Sequence, residues 1–129
     1  METELSNTAT TLGNYNDIPT EISTQALVVT MITGLTMTKS ADKMVWSEGN
    51  LTYKIEVNNQ TDKPYTSPKI TDVLNPLLIS FVPESVKVDD TPLEVSQYTY
   101  EESTGVLSIT LPDIGSKEKK IITFEVKKK

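Results

Sequence analysis

The sequence predicts an all-β protein: an immunoglobulin-like β-sandwich completed by an amino-terminal donor hairpin. Period-two alternation recurs along most of the chain, a helical period with caps appears nowhere, and turn residues interrupt the alternating runs at short, regular spacing. The 129 residues suffice for one domain with a self-supporting core.

The first two runs, Leu5 to Leu12 and Glu21 to Ile32, are joined by Gly13, Asn14, Tyr15, Asn16 and Asp17, which predicts a hairpin. Its apolar positions include Leu5, Ala9, Leu27 and Val29, the expected donor-strand residues. Gly34 marks a boundary, so residues 1–34 read as a hairpin extension and residues 35–129 as the sandwich. The sandwich opens on Leu35-Thr36-Met37-Thr38-Lys39. Leu51, Tyr53, Ile55 and Val57 then alternate with Thr52, Lys54 and Glu56, the pattern of a strand with one wet face. Leu107, Ile109 and Leu111 alternate with Ser108 and Thr110, and Ile122, Phe124 and Val126 with Thr123 and Glu125. Turn signals fall at Ser47 to Asn50, Asn58 to Pro68, Asn75-Pro76, Asp89 to Pro92, Ser103 to Gly105 and Asp113 to Ser116. The closing Lys127, Lys128 and Lys129 read as a frayed tail.

Composition narrows the function classes. The chain has no cysteine and no histidine, which removes disulfides, thiolate chemistry, imidazole bases and the usual zinc sites. The expectation is therefore a non-enzymatic protein without a cofactor or metal. Net charge is -6, and apart from the final lysines the basic residues are scattered, so neither nucleic acid nor an anionic membrane is an expected partner. The amino terminus shows neither a basic start nor an apolar leader core, and the apolar stretch Ala26 to Ile32 is too short to span a bilayer.

Three polar residues break the alternation by standing where an apolar side chain is due: Asn7 between Leu5 and Ala9, Lys39 after Leu35 and Met37, and Asp72 between Ile70 and Leu74. Each therefore points toward the core. Burial lowers the pKa of a lysine toward the neutral, nucleophilic amine and raises that of a carboxyl. The trio could form an amide crosslink: Lys39 attacks the side-chain amide carbon of Asn7, Asp72 shuttles the proton, and ammonia leaves. Each subunit would react once. The plainer alternative is an ion pair between Lys39 and Asp72, with Asn7 satisfying a strand-end carbonyl. Lys43 is a poorer nucleophile candidate because it lies near a turn, and Asn58 or Asn59 reads as a loop cap. Asp89 with Asp90, and Glu101 with Glu102, read as solvated turns rather than calcium ligands. Trp46 reads as a core or edge filler rather than part of a sugar platform with Tyr53, Tyr98 and Tyr100.

The stretch Met37 to Val126 resembles a bacterial repeat found in tandem in cell-surface and spore proteins, domain of unknown function eleven. The resemblance rests on Thr38 to Lys43, Ser47 to Asn59, Ile70 to Pro76, Leu107 to Gly115 and Ile122 to Val126, in that order and spacing. It departs from the family at Gln60 to Lys63 and at Asn75, where a shorter turn with glycine is usual. The resemblance implies an immunoglobulin-like fold whose last hairpin follows the Thr-Phe-Glu-Val strand. Here the matching element, Asn7 to Thr10 followed by Gln25 to Ile32, precedes the domain instead.

Two arrangements follow. Either the hairpin folds back on its own domain, or it completes the next subunit at an unpaired sheet edge and propagates head to tail into a fibre. The second is the favoured expectation, because no sequence after Val126 offers the missing strand. It describes a self-assembling subunit, its partner another copy of itself, forming a cell-surface fibre or spore appendage. The lack of a leader suits spore assembly inside a mother cell that later lyses. The alternative is a monomeric spacer or adhesive module from a larger surface protein.

Overall fold

Alternating side chains settle into two antiparallel sheets whose apolar faces meet. The computed structural model describes residues 8–23 and 34–129. In chain order the strands are β1 (Thr8–Tyr15), β2 (Ile18–Ser23), β3 (Leu35–Ala41), β4 (Leu51–Asn59), β5 (Tyr65–Val73), β6 (Ile79–Phe81), β7 (Lys87–Val88), β8 (Thr91–Pro92), β9 (Tyr98–Glu101), β10 (Val106–Thr110) and β11 (Lys119–Lys128). One sheet has the order β2-β1-β5-β10-β9, and the other β3-β4-β11-β7-β8, with β6 also on β11. The fold is an immunoglobulin-like β-sandwich, and the hairpin β1-β2 completes its first sheet.

The predicted strand faces are the observed ones. Leu51, Tyr53, Ile55 and Val57 from β4, Leu107 and Ile109 from β10, and Ile122, Phe124 and Val126 from β11 are all buried in the common core. Tyr53 and Phe81 pack against Phe124, which carries aromatic contacts across the second sheet, and Phe81 also meets Tyr98 and Tyr100. Gly105 tightens the turn between β9 and β10: its φ is +75°, and a Cβ there would sit 2.0 Å from the Leu74 carbonyl oxygen. Only glycine meets both demands.

Three expectations change. The hairpin turn is narrower than the five residues proposed, because Gly13, Asn14 and Tyr15 remain in β1 and only Asn16 and Asp17 turn, with φ of +50° and +64°. Positive φ at both central residues is the two-residue geometry that follows the twist of the flanking strands. The loop between β4 and β5 is also shorter than Asn58 to Pro68, since β4 reaches Asn59 and β5 begins at Tyr65. Pro68 is accommodated by a register shift: Leu12 faces Lys69 while Asn14 faces Thr66, leaving Ser67 and Pro68 opposite Gly13. Ser67 takes a φ of +52° there. Such a bulge tolerates a proline that a regular ladder would reject. Finally, the lysine run is no frayed tail, for Lys127 pairs with Ser80 and Lys128 with Ile79.

Strand polarity gives the sandwich two distinct ends. β5 runs from Tyr65 to Val73; Tyr15 pairs with Tyr65 and Thr8 with Val73, while Ser23 lies opposite Thr10 near the Val73 end. β3 starts at the other end, where Leu35 pairs with Asn59 and the Gly34 carbonyl accepts from the Gln60 N–H. The hairpin therefore leaves the sandwich at one end, and β3 enters at the opposite end.

Candidate functional site

Lys39 and Asp72 meet between the two sheets. Lys39 is the fifth residue of β3, and the inward parity of Leu35 and Met37 carries its side chain into the same layer. Asp72 occupies an inward position of β5 between Ile70 and Leu74, both fully buried. Lys39 Nζ lies 2.8 Å from Asp72 Oδ2; the lysine side chain is 9% exposed and the aspartate 0%. Ala9 of β1 and Leu107 of β10 flank Asp72 in the sheet. Lys39 Nζ also stands 4.5 Å from the centre of the Tyr53 ring, a favourable position for a cation.

The electrostatics bear on reactivity. Burial pulls the Lys39 amine below its ordinary value of 10.5, and the nearby Asp72 carboxylate opposes that change without cancelling it. Desolvation thus outweighs attraction, as is common for ion pairs removed from water. The consequence is an amine that gives up its proton more readily than a surface lysine. A neutral amine is what nucleophilic attack on an amide or carboxyl carbon requires.

Two members of the sequence-derived trio are therefore in contact. Asn7, the third, lies outside the described residues, immediately before β1. Of the donor-strand residues, Ala9 is fully buried on the core face of β1, directly across from Asp72. Leu5, Leu27 and Val29 lie outside the described residues. Among the described residues, no group of three or more histidine, cysteine, aspartate or glutamate side chains could hold a metal ion.

Comparison with protein-family models, curated proteins and solved structures gives no match.

The remaining sequence candidates resolve into structural roles. Lys43 donates to the carbonyls of Glu48 and Asn50 and closes its own loop. Trp46 is half-buried at the core edge, its indole N–H bound to the Gly49 carbonyl and Lys128 5.5 Å from its ring centre. Tyr53 is buried, whereas Tyr98 and Tyr100 pack on Phe81, so these aromatics make no common platform with Trp46. Asn59 is the loop cap: its Nδ2 donates to the carbonyls of Lys63, Ile114 and Gly115, and its Oδ1 accepts from the Thr61 N–H and hydroxyl. Asp89 and Asp90 form a turn of positive φ, from which Asp89 accepts from Lys120 and the Ile121 N–H.

One group escaped the sequence reading. Tyr65 is fully buried beneath β1; its hydroxyl lies 3.0 Å from the Thr11 hydroxyl and donates to the Thr20 carbonyl. Both contacts are to the hairpin, and they join residues more than forty positions apart. No local pattern signals such a pairing.

Proposed function

We propose that this chain is a structural subunit that assembles head to tail, each copy donating its amino-terminal hairpin to the sheet edge at β5 of the next. The observation that carries this reading is the polarity of the two ends. A hairpin that exits at the Val73 end, followed by a β3 that starts at the Tyr65 end, suits a stack in which one sandwich sits above another. Residues 24–33, which lie outside the described residues, separate the donated hairpin from the donor's own domain in sequence. Their contour length, about 33 Å, is ample for the short step between stacked sandwiches. Donor and acceptor surfaces differ, so the contact repeats without closing and yields a fibre.

The same interface supports a covalent lock. With the hairpin seated, Ala9 of the donor faces Asp72 of the acceptor, and Asn7 precedes it by one alternation step in the sequence. Lys39 attacks the side-chain carbonyl carbon of Asn7; the new C–N bond replaces the amide C–N bond, and the leaving nitrogen departs as ammonia after taking a proton relayed through Asp72. The product is an amide between neighbouring subunits. The sequence resemblance to a repeat of cell-surface and spore proteins is the support for reading such a fibre as one of a cell or spore surface.

A second reading is favoured by one specific observation: within a single chain, β1 pairs with β5 over the full length of the strand. The return path from Ser23 to Leu35 covers about 20 Å along the sandwich, which the eleven residues between them can also span. On that reading the protein is a monomeric spacer or binding module. Electron microscopy and native mass spectrometry of the purified protein separate the two: fibres are expected, and a population of compact monomers alone would overturn the donor model.

A further inference from the structure

We infer that Gly13 and Tyr65 are the specificity lock of the hairpin-binding groove, and that the groove is built to recognise a hairpin with small inward residues, supplied by a second copy of this chain. The inference deepens the donor reading and rests on it for the identity of the occupant. The lock itself operates whether the hairpin comes from the same chain or from a neighbour.

The core face of β5 beside the hairpin carries large side chains: Tyr65 and Ile70 are both fully buried. The inward residues of β1 are correspondingly slight, namely Ala9, Thr11 and Gly13, each buried. Volume complementarity of this kind sets a register, because a strand slipped by two residues would bring a different side chain against each wall. The tightest point is at Gly13. A Cβ on that residue would lie 1.8 Å from Tyr65 Cε1, 2.6 Å from Cδ1 and 2.8 Å from Cζ. The ring occupies the space that any other residue's side chain would need.

The ring cannot simply swing away. Its hydroxyl is held by Thr11 and by the Thr20 carbonyl, one partner on each strand of the hairpin. The Tyr65 N–H and carbonyl are both engaged by Ile114. The bulge at Ser67 and Pro68 falls opposite Gly13, so the ladder is irregular at this point and the side-chain fit decides the register. A donor is thus read in three ways at once: glycine under the ring, a hydroxyl two residues earlier, and a carbonyl on the return strand.

The test is a bump-and-hole exchange in full-length chains. Gly13→Ala adds the bump on the hairpin, and Tyr65→Val removes the ring atoms that oppose it. Gly13→Ala alone should lower the thermal midpoint and abolish fibres, yet its acceptor groove is intact, so small amounts added to wild-type protein should shorten fibres by capping one end. Mixing equal amounts of the Gly13→Ala and Tyr65→Val proteins should restore fibres in which the two masses alternate. In one chain, the double variant should recover most of the midpoint lost by Gly13→Ala. Additive losses in that cycle would overturn the lock in any assembly state. If the cycle shows recovery but no condition yields fibres, the lock stands and the donor reading falls.

Discussion

Replacing Lys39 by methionine tests the central polar pair, best done in an Asn7→Ala background so that no amide crosslink can form. Asp72 is 0% exposed and Lys39 Nζ is 2.8 Å from it, so the substitution leaves a carboxylate in the core without its countercharge. Removing one partner of a buried pair costs about 3–5 kcal/mol. The loss should appear in urea unfolding at pH 7, followed through the single tryptophan, Trp46. Acidification should recover part of it, because protonation discharges the stranded aspartate. The double change Lys39→Met with Asp72→Leu should return stability to within about 1 kcal/mol of the parent, or exceed it, since apolar replacement of a whole buried pair is commonly neutral or stabilising. A Lys39→Met protein within about 1 kcal/mol of its parent at pH 7 would refute the account of a desolvated pair, as would a double variant no better than the single one.

Other outcomes follow from the same geometry. Asn59→Ala removes a donor from the carbonyls of Lys63, Ile114 and Gly115 and the acceptor of the Thr61 N–H near the Tyr65 end, and should cost about 3 kcal/mol in chemical unfolding. Gly105→Ala places a methyl against the Leu74 carbonyl at a φ of +75° and should cost about 2 kcal/mol or more by the same assay. Lys39 and Tyr65 pull alkaline stability in opposite directions. The folded-state pKa of Lys39 lies below 10.5, so its penalty is relieved as pH rises through the window ending at 10.5. Burial raises that of Tyr65 above 10.0, so its contribution is complete below pH 10 and is lost above it. In stability measured against pH, Lys39→Met should remove the rise and Tyr65→Phe should flatten the fall.

Much of the sandwich could be read from alternation, because β4, β10 and β11 each bury one face and expose the other, a pattern that local sequence carries directly. The out-of-pattern residues Lys39 and Asp72 were legible for the same reason: a strand with one dry face makes an inward charge conspicuous. What escaped depends on distant partners. Gly13 looks like a turn residue until the Tyr65 ring, supplied from β5, is seen to require it. Pro68 looks like a loop marker until the bulge at Ser67 supplies a place for a residue without an N–H. The final lysines look solvated, and their side chains largely are, but β6 offers Lys127 and Lys128 backbone partners that no local signal announces. Charge on the outer face of a strand leaves its ladder intact.

The donor model is tested most directly by asking whose β1 lies on whose β5. Thr10 and Thr71 are register partners on adjacent strands, and the chain has no native cysteine. Facing positions in an antiparallel pair lie about 4.5–5.5 Å apart at Cα, within disulfide range. Chains carrying only Thr10→Cys and chains carrying only Thr71→Cys should be refolded together from denaturant, oxidised and run on a non-reducing gel. Donation between copies should give a disulfide-linked heterodimer of the two singly substituted chains. It is contradicted if no heterodimer forms while a chain carrying both changes closes the bond within itself.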